Sequence, residues 1–138
     1  MPDYQIGASR EESVTVGNDH AITFLGPDGP RVLSTPKMIG CMEGTCRNLV
    51  LSMLDAGHDT LGTHVNVSHC AAAPMGSSVC FRAELTAVNN RRLEFNVKAT
   101  LGDKVIGEGT HQRAVIDIQR FKDKVQESIP KVGAVPSQ

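Results

Sequence analysis

The sequence predicts an α+β domain in which one long helix packs against a single antiparallel sheet. Two observations carry this. Apolar residues recur at three- and four-residue spacing through one segment only, Met38, Ile39, Met42, Cys46, Leu49, Val50, Met53 and Leu54. After that segment the pattern turns to strict alternation, which is the period of half-buried strands. A chain of 138 residues with 40% hydrophobic content is one domain able to bury a core.

The elements follow in order. Glu11 to Val16 reads as a short strand with Val14 and Val16 on one face. Residues 17 to 31 hold Gly26, Pro27, Gly29 and Pro30, which marks a long loop, either a lid or a plain surface excursion. Ser34 or Thr35 then caps the helix, with Pro36 at its first turn and Gly57 at its C′ position. Val65, Val67 and His69 share a strand face. Val79, Phe81, Ala83, Leu85 and Ala87 form the apolar face of the next strand, and Leu93, Phe95, Val97, Ala99 and Leu101 that of the third. The turn NNRR at 89–92 makes these two a hairpin. Gly102 and Asp103 form the next turn. A final strand runs from Lys104 to Ile118, and Gly107 and Gly109 mark a bulge or a close backbone approach in it. Four strands in an antiparallel meander around one central helix is the hot-dog arrangement. The domain is expected over residues 1–125, with 126–138 a flexible C-terminal tail.

Composition narrows the function classes. A net charge of −1 with dispersed Lys and Arg argues against nucleic-acid and acidic-membrane partners. Aromatics make up 4%, with no Trp, so no base-stacking platform is available. Cys41, Cys46, Cys70 and Cys80 form no CxxC pair and read as buried free thiols of a cytoplasmic protein. His64, His69 and Cys70 match no common zinc spacing, so no metal and no cofactor are expected. No window is long and apolar enough to span a membrane.

Three polar residues stand out against the apolar pattern: Thr35, Glu43 and His69. A carboxylate beside a core-facing stripe needs a partner, and a histidine ending an apolar strand face is a natural one. Hydroxyl, carboxylate and imidazole together make a nucleophile and acid/base set for hydrolysis. Each also has a plainer role open to it: Thr35 as helix cap, Glu43 in a surface pair with Arg47, His69 as a satisfied strand-end residue. Thr35 and Glu43 lie eight residues apart, about 12 Å of helical rise, which exceeds hydrogen-bond reach. One site holding both must fold the Thr35 hydroxyl back or draw on two chains. An open sheet edge also favours a homodimer, with two sites at its interface.

The runs STPKMIGCMEGTC, LGTHVNVSHCAAAPMGSSV, NNRRLEFNVKA and IGEGTHQRAVID, in this order, resemble the hot-dog thioesterases of the fluoroacetyl-CoA thioesterase type. The resemblance spans residues 10–125. It implies an acyl-CoA thioesterase acting on a short-chain acyl thioester, with Thr35, Glu43 and His69 as the catalytic set. The family glycine near the acyl group matches Gly62. Arg91 and Arg92, with Lys98, are candidate contacts for the CoA phosphates; a solvated hairpin is the plainer reading of the same residues. The segment FLGPDGPRV before Thr35 carries only Phe24 where the fluoroacetate-specific member has an aromatic-bearing lid. The resemblance therefore implies the reaction class and not the acyl group. A hot-dog hydratase or dehydratase, and a non-catalytic acyl-CoA-binding module, are the alternatives.

Overall fold

The computed structural model describes residues 2–133, with side chains through Ile129. Strand β1 (Ser9–Thr15) is followed by helix α1 (Thr35–Leu51). Strands β2 (His58–His69), β3 (Ser78–Asn89), β4 (Arg92–Leu101) and β5 (Lys104–Asp117) come next, then helix α2 (Ile118–Gly133). The strands form one antiparallel sheet in the order β1-β3-β4-β5-β2. Only β3, β4 and β5 are a meander. β2 pairs with β5 across the sheet instead of with its sequence neighbour β3, which corrects the expected four-strand meander. β2 thereby becomes an edge, twelve residues long and unpaired on its outer side.

One sheet face holds the core. Phe81, Ala83, Leu85, Leu93, Phe95, Val97, Ala99 and Ile106 meet Met38, Met42, Cys46, Leu49 and Val50 of α1. Small residues let the helix come close: a Cβ on Gly107 would lie 2.6 Å from the Met38 sulfur. Gly109 faces the Asn66 and Val67 backbone just as closely, so both glycines mark the close approach that the sequence pattern indicates. A bulge separates Ala99 from Thr100 in the β4–β5 register. A second bulge falls between Leu85 and Ala87, where the Thr86 hydroxyl donates to the Glu94 carbonyl at 3.1 Å. This inserted residue turns the alternation over, so that Val88 and not Ala87 packs on the core.

Three local expectations change. α1 ends at Leu51 with Ser52 as its C-cap, six residues before Gly57, whose φ of +81° serves the turn into β2. The segment expected as a tail from 126 on lies partly in α2 and partly, at 134–138, outside the described residues. Ile118, Phe121, Val125 and Ile129 supply the helical spacing there, although all four stay exposed. Asp117 caps this helix, its carboxylate accepting the Arg120 backbone N–H at 3.0 Å. Finally, among the four free cysteines only Cys46 is buried; Cys41 and Cys80 are half-buried and Cys70 is exposed. Burial pushes the Cys46 thiol up to about 12.

The long loop is ordered by one side chain. Arg31 donates to the carbonyls of Ile22 at 2.9 Å, Asn18 at 2.8 Å and Ala21 at 3.0 Å. Bridges Ala21–Leu33 and Val32–Pro74 close the loop onto the body of the domain. Phe24 is left at its tip, 78% exposed.

Candidate active site

Helix α1 starts at the site. Ser34, not Thr35, is its cap: the Lys37 backbone N–H donates to the Ser34 hydroxyl at 3.3 Å, and Pro36 occupies the first turn. The Thr35 hydroxyl is thus released from capping. It lies 2.7 Å from Nδ1 of His69, the last residue of β2. Val65, Val67 and His69 pair with His111, Gly109 and Gly107, so the three share the inner sheet face as their alternation indicates. The N-terminal end of α1, with no acidic residue in its first turn, adds a positive dipole beside this pair.

Glu43 stands two turns further along the same helix and meets other residues. Its Oε1 lies 3.7 Å from His111 Nε2 and 3.9 Å from Arg113 Nη1. These separations exceed hydrogen-bond length. The partnership with His69 inferred from the sequence does not form within the chain, because helical rise carries Glu43 away from Thr35 and the residue it touches. Nor does Glu43 pair with Arg47. Arg47 instead grips Asp59 of β2 with two hydrogen bonds of 2.9 and 2.7 Å, which fixes α1 against β2 one turn beyond Glu43. A second tie joins α1 to β1, where Glu12 accepts from Thr45 and Asn48.

The group around Glu43 is built on β2 and β5. Gly62 and Arg113 are register partners. A Cβ on Gly62 would collide with Glu43 Oε1 and would lie 3.2 Å from His111 Cε1. A side chain here would push aside the carboxylate it faces. Arg113 is buried, donating from Nε to the Thr60 hydroxyl at 2.7 Å and from Nη2 to the Thr60 carbonyl at 2.8 Å. Its Nη1 lies 3.1 Å from His111 Nε2, while His111 Nδ1 lies 2.8 Å from the His64 carbonyl. An arginine only donates and a carbonyl only accepts. His111 is therefore neutral, with its proton on Nδ1. Burial and the adjacent guanidinium both hold its pKa below the usual imidazole value. Burial also lowers the Arg113 pKa, and the Glu43 charge opposes that. Glu43 thus faces one buried cation with a neutral imidazole beside it, and its side chain is 39% exposed toward the open side.

Two of these residues, His111 and Arg113, were not among the sequence candidates. Both sit at inward-facing positions of β5, where a polar residue among core neighbours is the available signal. Arg91 and Arg92 lie away from Glu43, lining a cleft on the outer sheet face. Lys98 lies further along that face beside Glu108.

The chain is similar throughout to proteins of one kind. The family described as fluoroacetyl-CoA-specific thioesterase matches residues 14–119. A fluoroacetyl-CoA thioesterase of Streptantibioticus cattleyicolor is 43% identical over 101 residues, 73% of each chain. The crystal structure of the fluoroacetyl-CoA thioesterase FlK superposes with a TM-score of 0.83 at 35% identity, covering 91% of this chain and 97% of that one. A thioesterase-superfamily protein of Thermus thermophilus, 23% identical, shares the fold with a TM-score of 0.88 over 97% of this chain and 99% of its own. The chain belongs to the fluoroacetyl-CoA-specific thioesterase family and is a hot-dog thioester hydrolase.

Proposed function

We propose that this acyl-CoA thioesterase works as a homodimer, with Thr35 as nucleophile, His69 as its base, and Glu43 of the partner subunit as the carboxylate that activates water. The observation carrying this reading is the 2.7 Å contact between Thr35 Oγ1 and His69 Nδ1, free of any capping duty. His69 takes the hydroxyl proton as Thr35 attacks the thioester carbonyl. The α1 N-terminus favours the developing oxyanion. The C–S bond breaks, the CoA thiolate takes the proton from His69, and an acyl ester remains on Thr35. Water then attacks that ester. Its proton passes to the carboxylate and on to the departing Thr35 oxygen, giving the free acid.

The second subunit follows from separation within the chain. Thr35 and Glu43 sit on one helix, about 12 Å apart in rise. The unpaired β2 edge supplies a remedy. If two copies pair antiparallel about a two-fold axis through Asn66, and the β2 bulge between Gly62 and His64 takes up one residue, His69 of one protomer comes opposite Gly62 of the partner subunit, the residue that faces Glu43. Val65, 39% exposed in the single chain, would lie next to the centre of that seam.

Gly62, His111 and Arg113 crowd the carboxylate and favour a small acyl group. Phe24 points out from the loop tip, which gives no basis for transferring the fluoroacetyl preference of FlK. A cytoplasmic setting agrees with an acyl-CoA substrate and four free cysteines. Thiol release from a panel of short acyl-CoAs, with light scattering on the same sample, tests the reading. The expected results are thiol release from short-chain thioesters and a dimer mass. Binding without release would favour the acyl-CoA-binding module, and full activity from a monomer would refute the shared site. Intact mass after a rapid quench should show the acyl group on wild type and not on Thr35→Ala.

A further inference from the structure

The CoA half of the substrate carries a diphosphate and a 3′-phosphate, yet the inner-face site offers only the buried Arg113, already bonded to Thr60. The phosphates need cations elsewhere within reach. A cleft of about 930 Å³ lies between α2 and the outer face of β2, β4 and β5. Arg91, Arg92, Arg120 and Lys124 line it. Among the described residues, no carboxylate lies within 4 Å of any of these four cationic groups. The one acid in the lining, Asp117, is engaged as the cap of α2; that backbone hydrogen bond first, and the His58 and Arg120 charges after it, hold it below the usual carboxylate range. In a chain of net charge −1, this is a concentrated positive field. The other cleft on the outer face offers a contrast: Arg82 and Lys98 there are matched by Glu84 and Glu108.

The position suits a two-ended ligand. Arg113 pairs with both Gly62 and Leu93, so the Glu43 group lies two residues from the Asn90–Arg91 turn that ends the sheet. That is about 7 Å of strand, less than the length of a pantetheine arm. An arm leaving Glu43 rounds this end of the sheet and arrives at Arg91 and Arg92. Phe121 adds an apolar wall for a base. Arg120, Phe121 and Lys124 lie beyond residue 119, where the family match ends.

We propose that this cleft binds the phosphorylated nucleotide end of CoA, with Arg91 and Arg92 on one side and Arg120 and Lys124 of α2 on the other. The inference rests on the acyl-CoA reading of the catalytic site, and the test separates the two. Acetyl-CoA and acetyl-pantetheine are compared on wild type and on the doubles Arg91→Ala/Arg92→Ala and Arg120→Ala/Lys124→Ala. Binding of adenosine 3′,5′-bisphosphate is measured by calorimetry on the same three proteins. All four side chains are at the surface, so melting curves should confirm folded variants. The kcat/KM preference for acetyl-CoA over acetyl-pantetheine should fall about tenfold or more in each double, the worth of one or two charge-assisted contacts. The bisphosphate should bind wild type and lose affinity in both. An unchanged preference, or equal bisphosphate binding in all three proteins, overturns the cleft assignment. No thiol release by wild type from either thioester overturns the hydrolase reading instead.

Discussion

Replacing Gly62 with alanine asks whether the space in front of Glu43 belongs to the site. The added Cβ would clash with Glu43 Oε1 and approach His111 Cε1 to 3.2 Å and Arg113 Nη1 to 3.4 Å. Arg113 is held by Thr60 and His111 by the His64 carbonyl, so neither yields readily. Glu43, 39% exposed, is the side chain that must move. Turning it off its rotamer costs about 0.5–1.5 kcal/mol. Gly62 has no positive φ, so alanine in its place recovers about 0.5–1 kcal/mol of strand propensity and chain entropy. The two effects nearly cancel, and Tm should stay within about 5 °C of wild type. Catalysis has no such compensation. Shifting a catalytic carboxylate by about 1 Å costs on the order of 10²-fold in kcat. Melting curves and thiol release on one preparation read both quantities. A folded Gly62→Ala variant with turnover within about threefold of wild type would refute the placement of Glu43 in the site.

Other substitutions test the remaining groups. Glu43→Gln keeps the shape and should lower hydrolysis by about 10²-fold or more with the fold retained; near-normal turnover would remove Glu43 from the mechanism. His69→Ala should lose about 10²-fold in kcat with little change in Tm, and a destabilised but fully active variant would make His69 structural. His111 carries a pH signature: its folded pKa is depressed, so the unfolded chain binds the extra proton first. Stability should therefore be full above about pH 6.5 and fall as pH drops through the imidazole range. His111→Gln should flatten that slope in Tm against pH, and an unchanged slope would show that another group titrates there.

The fold was legible wherever local periodicity decides structure. α1, the β3–β4 hairpin and the Gly107–Gly109 approach all follow from spacing that neighbouring residues enforce. The misreadings share a different cause. Sequence order puts β2 beside β3 because adjacent strands commonly pair, whereas its partner β5 is fixed by long-range packing that no local pattern records. Thr86 inverted the alternation at Ala87 because a bulge inserts a residue without changing composition. α2 reads as a tail in the sequence because its apolar stripe packs on no core and its flanks are polar.

The site shows the same division with a sharper consequence. Thr35, Glu43 and His69 stand out in the sequence as polar residues in apolar surroundings, but which of them touch does not: the Thr35–His69 contact appears only in the structure. From the sequence, His69 is the chemically sensible partner for Glu43. In the chain it faces Arg113 and His111, two polar residues on the inner face of β5 whose purpose becomes visible only when that face is seen to include Gly62. Neutral His111 and cationic Arg113 stand side by side before Glu43, the guanidinium near enough for its field to reach the carboxylate without a direct hydrogen bond. A direct two-bonded grip by Arg113 would lock the Glu43 carboxylate in place. At 3.7 and 3.9 Å its Oε1 is attracted without being gripped, which leaves the Glu43 oxygens available to the water that the proposed reaction consumes.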